Sequence, residues 1–497
     1  MIGGLGVGLL VALLLVAWRL SSGPVSISFL TPYMQQALDD VHEGAFDVTV
    51  ADTILTWAGW ERTLDIRIVN LRTTLPSGEL VASIPEVSIS LSAQALATGT
   101  VAPRSVEFFG PRLKVVRHAD GQFAVGFSGT TQGSEDFVAS LIMVMLQDPD
   151  PTRAMSYLKR ISVVAGEVTF EDQGLGTTWF APSADAAFTR AEGGLKAELD
   201  LDLQAGDKLA AVSVLGNYSP SGKRVDLGVS FEDVTPAAFA GLSDKVAVMG
   251  ALDLPISGTV TLSVEQNGRI EGFGFDLAGT NGHLALPVPL AARLGALSWA
   301  QRFGVDALEI SGRYDGGADV LDITRLSLTA QSGETLYVPA PVYHAVPVKT
   351  LETALRYAAA TGQLDISGLT MDVGGPRVEI SAQLANLKAD ALKPGLFADV
   401  TATAYNVPFD GLERLWPKGL ADDVRTWVLE GLSKGIADRA TVSAALRPAP
   451  GGTTRLASLA GDMQGHGIAV KYVSTLRSEE SRVGKECRYW RPEQHTI

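Results

Sequence analysis

The residues that could perform chemistry are scattered along this chain of 497 residues. The six histidines form no H-E-x-x-H motif and no pair at metal-ligand spacing; they are His42, His118, His283, His344, His466 and His495. The acidic pairs Glu171-Asp172 and Asp422-Asp423 are more typical of a turn or a helix start than of general acid and base partners. The sequence therefore predicts no enzyme active site and no metal or cofactor.

Two glycine-containing segments come closest to ligand-binding loops. Gly222-Lys223 fails the pattern of a phosphate-binding loop and fits a solvated hairpin turn. Residues 315–323, DGGADVLDI, share part of a calcium-binding nonapeptide repeat but occur once and lack its second glycine spacing. Neither segment predicts a ligand site.

Alternation of apolar and polar residues dominates the chain and predicts β-strands. In residues 194–203, GLKAELDLDL, leucine and alanine alternate with Lys, Glu and Asp. The other predicted strands are 85–92, 105–117, 161–171, 208–216, 225–231, 260–264, 273–277, 306–314, 319–330, 363–372, 376–387 and 397–406. Hairpin turns are predicted at Asp120-Gly121, Asn267-Gly268, Asn281-Gly282 and Asp315-Gly316. The pattern indicates a long antiparallel meander with one apolar and one polar face.

Few segments favour helices. Residues 134–146 begin with Ser134 and acidic residues, which suit a helix N-terminus. Further helices are predicted at 151–160, 32–40, 235–243, 289–303 and 348–360. Residues 410–434 predict a helical pair broken at Pro417.

Residues 2–18 are uncharged and apolar, and predict a membrane anchor. Seventeen residues at about 1.5 Å each span roughly 25 Å, close to a hydrocarbon core. A cleaved signal peptide is the alternative, but no basic segment precedes the run and no A-x-A site follows it. Its orientation stays open, because Arg19 lies after the run and taken alone would place the body in the cytoplasm. A basic leader before Met1 is a further alternative.

The net charge and the cysteine content limit the classes of binding partner and the cellular compartment that the chain fits. The net charge of −15 argues against nucleic acid, since phosphate binding needs clustered Lys and Arg. The single cysteine is Cys487, so residues 1–476 cannot use disulfide or thiolate-metal scaffolding. A cysteine-free body is compatible with an oxidising compartment.

The composition changes abruptly at Arg477. Residues 477–497 hold the only cysteine and show no alternation, and RSEESRVGKEC resembles the translation of a sequencing adapter. We interpret 477–497 as an artefactual tail and expect the natural protein to continue beyond Leu476. A genuine charged tail is the alternative.

A strand array with few helices must cover its apolar face. The sheet can close into a barrel, pair as a sandwich or curl around a ligand. A curled sheet with a partly open apolar trough fits the alternation, the acidic exterior and the anchor together. Stacked sandwiches, with the apolar faces packed on each other, remain the alternative.

Three segments resemble the AsmA-like envelope proteins of Gram-negative bacteria, in the YhdP-type branch related to TamB. They are WRLSSGPVSISFLTPYMQQAL at 18–38, the strand-rich stretch 85–123 with its G-x-V-x-P, GP-x-L and DG-x-F motifs, and LWPKGLADDVRTWVLEGL at 415–432 followed by GHGIAVKYVSTL at 465–476. The resemblance implies a single-pass bacterial inner-membrane protein with its body in the periplasm. It also implies a long curled sheet of the bridge-like lipid transfer type.

With that resemblance, the chain divides into seven expected parts. These are an anchor at 1–20, an N-terminal AsmA-like β module at 21–130, a helical insertion at 131–160, an extended β groove at 161–408, a helical pair at 409–436, the start of a truncated β module at 437–476, and the tail at 477–497. The residues expected to line the groove are Leu199, Leu201, Leu203, Leu227, Val229, Phe231, Leu262, Val264, Phe273, Phe275, Leu308 and Ile310. Ordinary sheet core is the alternative role for each of them.

The resemblance implies transport of phospholipid between the inner and outer membranes, with acyl chains on the apolar face. A structural or assembly factor for outer-membrane biogenesis, which carries no lipid, is the alternative; an outer-membrane or envelope protein would be its partner. The helix at 134–146, with Phe137, Leu141, Met143 and Met145, is expected to pack on its own sheet, to cap the trough or to lie on a membrane.

Overall fold

Strands make up most of the described chain, as the alternation predicts, and the described helices are few and short. The computed structural model describes residues 25–26, 47–56, 65–74, 80–120, 122–127, 144–147, 150, 153–205, 208–265, 269–285, 302–338, 344–385, 387, 397–416, 422–448 and 454–471. The predicted anchor at 2–18, the predicted helix at 32–40 and the tail at 477–497 lie outside these residues. Among the described helices, none combines the length and the apolar character needed to cross a bilayer.

The chain forms two units. The first comprises Met1–Phe231, Gly241–Val246 and Val264–Gly268, and the second comprises Glu232–Ala240, Ala247–Ser263 and Arg269–Ile497. Each unit contains a mostly antiparallel sheet built from strands that follow one another along the chain.

The strands of the first unit run from β1 to β13. They are β1 (Val25–Ser26), β2 (Asp47–Thr49), β3 (Asp52–Thr56), β4 (Asp65–Thr74), β5 (Leu80–Leu91), β6 (Pro103–Phe109), β7 (Arg112–Arg117), β8 (Phe123–Phe127), β9 (Arg160–Asp172), β10 (Thr177–Ala191), β11 (Gly194–Ala205), β12 (Lys208–Ser219) and β13 (Arg224–Val234). Neighbours pair in the order β3-β4-β5-β6-β9-β10-β11-β12-β13. Strands β1 and β2 pair with β3 and β4, and β8 pairs with β7.

The expectation of a purely antiparallel meander is wrong at β9, which runs parallel to both β6 and β7. Gly110 adopts φ +62, a left-handed conformation that suits glycine, and it breaks the predicted strand 105–117 into β6 and β7. The Gly110 N–H donates to the Val164 carbonyl, and the Pro111 carbonyl accepts from the Glu167 N–H, both at 2.9 Å. The GP-x-L motif therefore lets two successive strands share one long partner. Parallel pairing needs a long connection, and residues 118–159 separate β7 from β9 along the chain.

The core of the first unit lies over β4, β5, β6 and β9. Its fully or nearly buried side chains include Ile68, Ile84, Val87, Phe108, Phe127, Met145, Leu158, Ile161 and Leu195. Ser92 caps the short helix Ala93–Ala97 by accepting from the Ala95 N–H.

The strands of the second unit run from β14 to β28. They are β14 (Leu252–Asp253), β15 (Ile256–Glu265), β16 (Ile270–Leu284), β17 (Phe303–Asp315), β18 (Val320–Ala330), β19 (Thr335–Val338), β20 (His344–Pro347), β21 (Thr350–Ala358), β22 (Gln363–Asp372), β23 (Arg377–Ala385), β24 (Phe397–Pro408), β25 (Leu432–Ser433), β26 (Ile436–Pro448), β27 (Thr454–His466) and β28 (Ala469–Val470). Nine of them pair in the order β16-β17-β18-β21-β22-β23-β24-β26-β27. Strand β14 pairs with β16, and β19–β20 and β25–β28 form two small sheets.

Several predicted helices are wrong or shorter than expected. The segment 348–360 forms strand β21, although Leu351, Ala354, Leu355 and Ala358 have helical spacing, because β18 and β22 both pair with it. Among the described residues of 151–160, the 3₁₀ turn Ala154–Tyr157 is the helical part, and β9 begins at Arg160. In 235–243, only the 3₁₀ turn Pro236–Phe239 forms. A further 3₁₀ turn is Ala247–Ala251.

The other helical segments are partly described. Residues 144–146 are helical, whereas 134–143 and most of 289–303 lie outside the described residues. The segment predicted to hold a helical pair contains the 3₁₀ turn Phe409–Gly411 and the helices Leu412–Leu415 and Asp422–Gly431. Those helices pack around buried Val407, Phe409, Val428 and Ala437.

Of the four predicted hairpin turns, one forms, one does not, and two include residues that the structure does not describe. Asp315 closes the β17–β18 hairpin by accepting from the N–H groups of Gly317 and Ala318. Asn281-Gly282 does not form a hairpin: Asn281 adopts φ +51 inside β16, which continues to Leu284. The pair supplies a left-handed residue within a strand, where Gly282 is buried. Gly268 and Gly121 lie outside the described residues.

Candidate functional site

One continuous apolar face crosses the nine paired strands of the second unit. Residues directly opposite each other in paired strands share a face, so registers trace it from strand to strand. In one such row Leu277 lies opposite Ile310, and Ile310 lies opposite Leu326. In a second row, Ile366 lies between Leu355 and Ala382. The row that contains Ile380 continues through Ala402, Val442 and Gly461. Apolar residues therefore occupy this face on all nine paired strands, with Thr353, opposite Leu326, as a polar interruption.

Away from its margins, most of this face is half-buried rather than packed; Ala382, at 7% exposure, is an exception. A residue in a closed core is almost completely shielded, as Leu254 and Val305 are at 0% exposure in the same unit. Ile310, Leu326 and Ile366 keep an intermediate exposure instead. The buried cluster of this unit lies around Val407 and Phe409, at one end of the nine strands. In the part of the chain that the structure describes, the centre of the face belongs to neither buried cluster.

The twelve residues expected to line a groove are all half-buried. Six lie on β11 and β13, two on β15, and four on β16 and β17. On β11, Leu199 and Leu201 share a face with Val214 and Val212 of β12, and those residues lie opposite Val229 and Phe231 of β13. The structure thus places six of the expected residues on one face of β11 and β13, and four on one face of β16 and β17. Whether they contact a ligand stays a prediction.

An equally extensive part of the face was missed in the sequence. It lies on β18, β21 to β24, β26 and β27, and includes Leu321, Ile323, Leu326, Leu328, Leu355, Ile366, Leu369, Ile380, Val400 and Val442. The signal was present, because 319–330, 363–372, 376–387 and 397–406 show the same alternation as 194–203.

Aromatic rings gather on the face where β16 and β17 pair. Phe273 stacks on Tyr314 with ring centroids 5.1 Å apart, and Phe275 lies directly opposite Gly312. A Cβ at Gly312 would lie 2.8 Å from the Phe275 ring, so glycine makes room for that ring. Two tyrosines on the face point their hydroxyls at polar partners: Tyr314 donates to Asp319 Oδ1 and Tyr357 to the Leu387 carbonyl, both at 2.9 Å.

The opposite face of the second unit is charged. Ion pairs join neighbouring strands there, between Arg325 and Glu309 at 2.8 Å and between Arg313 and Asp322 at 3.5 Å. A third pair joins Arg447 to Asp399 at 2.6 Å. These pairs are solvent-exposed, so they add little stability, but they mark this face as the one that meets water.

In the first unit, the apolar face changes from packed to half-buried along β11. Leu195, at the start of β11, is 8% exposed and belongs to the core, whereas Leu199 and Leu201 are half-buried. The core side is covered by residues 144–147 and 153–158, from which Met145 and Leu158 are buried at 2% and 0% exposure. Of the helix residues expected to pack, Met145 does so; Phe137, Leu141 and Met143 lie outside the described residues.

Arg190, near the end of β10, holds this cover in place. Its guanidinium donates to the carbonyls of Val144, Met145 and Ser156 at 2.7, 3.0 and 2.8 Å. Carbonyls at the end of a helix lack intrahelical donors and attract cations. Burial lowers the pKa of Arg190 from its usual value, and the side chain remains a cation at neutral pH.

The residues considered for catalysis have structural partners. Glu171 pairs with Lys114 at 2.9 Å, and Asp172 pairs with Arg117 at 3.0 Å. Hydrogen bonding to Lys114 lowers the pKa of Glu171. Asp422 and Asp423 occupy the first turn of the helix Asp422–Gly431, where carboxylates are favourable.

The described histidines are also dispersed. His118 contacts Gln173 and His466 contacts Asp438, while His283 and His344 lie on β16 and β20. Lys223 adopts φ +48 in the turn between β12 and β13, so Gly222-Lys223 forms the predicted hairpin turn. Within the described ranges, no three His, Cys, Asp or Glu side chains are grouped so that they could hold a metal ion.

The comparison with known proteins adds no relative to these observations. No protein-family model, no curated protein and no solved structure matches the chain.

Proposed function

We propose that the chain is an AsmA-like envelope protein whose apolar sheet face carries the acyl chains of phospholipids. In this proposal the sheet curls so that the apolar face is concave, and the protein is tied to the bacterial inner membrane by residues 2–18. Its body lies in the periplasm and supports phospholipid movement between the two membranes. The observation that carries the proposal is the half-burial of a face that is apolar on nine successive strands.

The extent of the face supports an apolar ligand. Nine strands about 4.8 Å apart extend roughly 38 Å, and six residues along a strand cover about 20 Å. The face therefore measures roughly 760 Å² in projection, of which its half-buried residues expose a part. The largest exposed apolar patch on a typical monomer is about 300–600 Å², so a face of this extent supports an apolar partner.

Energetics favour many similar contacts over one deep pocket. Removing a methylene from water is worth about 0.8 kcal/mol, so a diacyl lipid needs continuous shielding on an aqueous path. The face consists of rows of Leu, Ile and Val, so a lipid that moves from one row to the next makes almost the same contacts. Such a surface permits sliding.

A pair of neighbouring positions tests this proposal in cells. A photo-crosslinking amino acid at Ile310 places the reactive group on the apolar face, and the same group at Glu309 places it on the charged face of the same strand. We expect phospholipid adducts at position 310 and few at position 309, measured by mass spectrometry of the full chain.

The competing assembly role predicts a different adduct. If position 310 captures envelope proteins and no lipid, the lipid proposal is wrong and the assembly factor is favoured. Equal lipid capture at 309 and 310 would also contradict it, because membrane proximity alone would then explain the labelling.

A further inference from the structure

On β16 to β22, the two margins of the apolar face in the second unit differ in their exposure. We define the covered margin as Val305, Ala330, Val348, Met371 and Val373, which are 0%, 7%, 3%, 8% and 3% exposed. We define the tyrosine margin as Phe273, Tyr314, Leu321, Tyr357 and Leu364, which are all half-buried. These last five lie in one row, because each is directly opposite the next in paired strands.

The covered margin is closed by backbone and by connecting segments. The Gln331 N–H donates to the Gly304 carbonyl at 3.0 Å, and the Val348 N–H donates to the Glu334 carbonyl at 3.1 Å. Strands β18 and β24 end here, and the strands that follow them in the sheet, β21 and β26, begin here. An unpaired polar group placed here would lose its water, which costs several kcal/mol.

The tyrosine margin has the opposite character. The connections 316–319 and 359–362 are short turns, and Leu387, which follows β23, reaches the same end by donating its N–H to the Gly362 carbonyl. The Tyr314 and Tyr357 rings end in hydroxyls that donate to Asp319 and to the Leu387 carbonyl. Tyrosine combines an apolar ring with a polar end and is favoured where apolar surface meets water. This margin therefore tolerates a polar ligand group beside an apolar one.

The face is wide enough to hold an acyl chain along its strands. From Leu351, next to the covered margin, to Tyr357 is six residues, or about 20 Å at 3.3 Å per residue. The tails of one leaflet occupy about half of a 30 Å hydrocarbon core, or about 15 Å. Tails that begin at the tyrosine margin end near the covered margin without leaving apolar surface.

We infer that phospholipids lie along the strands of this face, with the head group at the tyrosine margin and the acyl ends towards the covered margin. The inference rests on the proposed function and adds a fixed orientation to it. It assigns Tyr314 and Tyr357 to the boundary between the acyl chains and the polar head group.

Two photoreactive lipids test the orientation on the unmodified full chain. One is a phosphatidylethanolamine with a diazirine at the end of an acyl chain, and the other carries the diazirine on its head group. We expect the acyl probe to label residues near Leu328, Leu351 and Met371, and the head-group probe to label residues near Tyr314 and Tyr357, located by tandem mass spectrometry.

The outcomes separate the orientation from the function. Reversed or evenly mixed labelling on this face would overturn the orientation while leaving the lipid-carrying role supported. Absence of both labels from this face would overturn both.

A matched pair of variants gives a second measurement. Leu328→Lys places a charge beside the covered margin, and Leu364→Lys places one at the tyrosine margin, where the lysine stem can lie on the face and its ammonium can reach water. We expect phosphatidylethanolamine binding to fall about tenfold or more in Leu328→Lys and less than about threefold in Leu364→Lys. Thermal unfolding checks that both variants are folded. Equal losses of phosphatidylethanolamine binding in the two folded variants would contradict the orientation. If Leu328→Lys does not fold, the labelling by the two photoreactive lipids decides the orientation.

Discussion

Arg190 donates a hydrogen bond of 2.7 Å from Nη2 to the carbonyl of Val144, which joins the end of a strand to the end of a helical segment 46 residues earlier. The same guanidinium reaches Met145 and Ser156, so one side chain holds two turns of the cover over the first unit's core. Beyond that cover, the apolar face on β11 to β13 becomes half-buried.

Replacing Arg190 tests how firmly the cover is held. Arg190→Met removes three charge-assisted hydrogen bonds and leaves the carbonyls without their donor, which we expect to lower the free energy of unfolding by about 2–4 kcal/mol. Urea unfolding measures the loss, and faster hydrogen exchange at the Leu158 amide, which donates to Met155, locates it.

Arg153→Gln is the control for that variant. Arg153 is 70% exposed and pairs with Asp150 at 3.4 Å, so its loss should change stability by less than about 0.5 kcal/mol. If the two variants behave alike, Arg190 does not hold the cover.

Asp172 predicts a pH dependence of stability in the first unit. Burial would raise the pKa of Asp172, but hydrogen bonds from the Leu175 N–H and from Arg117 outweigh burial and lower the pKa below its usual value of 3.8. A depressed pKa contributes stability above 3.8, and that contribution is lost as the pH falls through the lower folded-state value. We therefore expect wild type to exceed Asp172→Asn by about 1–3 kcal/mol at pH 7, with a gap that narrows below pH 3.8.

Urea unfolding of both proteins between pH 2.5 and 7, in steps of about half a unit, measures the gap. Asp226→Asn, which changes an exposed partner of Arg224, serves as the comparison and should differ from wild type by less than about 0.5 kcal/mol. A gap at Asp172 that stays constant with pH would contradict the proposed linkage.

Truncations distinguish an open face from a packed core. Leu254 is fully buried, so Leu254→Ala should cost about 2–5 kcal/mol, including the cavity that it leaves. Ile310 is half-buried on the apolar face, so Ile310→Ala should cost only about 1 kcal/mol because solvent reaches the site. Both residues belong to the second unit, and urea unfolding compares them directly; a cost for Ile310 as large as that for Leu254 would mean that the face is filled.

The sequence predicted most strands correctly, but it did not predict that 348–360 forms a strand or that β9 pairs in parallel. Leu199 and Leu201 alternate with acidic residues, and this period forces one apolar face once the strands pair. Strand β21 escaped prediction because Leu351 and Leu355, four residues apart, satisfy both a helical and a strand spacing, and only pairing with β18 and β22 decides between them. The parallel strand β9 depends on contacts between residues far apart in the chain, which local periodicity does not record.

The sequence predicts that each strand has an apolar side, but it does not predict how much of that side is covered by other residues. Alternation identifies which side of β17 is apolar, but not whether a second layer covers it. Burial depends on the neighbours in space: Leu195 and Leu199 have the same residue type on the same strand, and only Leu195 lies beneath the Met145 segment. For the same reason, the Arg190 contacts could not be derived from the sequence.

Transfer of a fluorescent phosphatidylethanolamine between two populations of vesicles tests the central claim most directly. Full-length protein should accelerate transfer, and Leu201→Asp combined with Val229→Asp should abolish the acceleration, since both changes place charge on the apolar face. The matched control, Asn217→Asp with Ser230→Asp, adds the same charge to exposed positions of neighbouring strands and should transfer like wild type. Wild-type protein that leaves the rate unchanged, or a folded apolar-face variant that transfers as fast as wild type, would contradict the account.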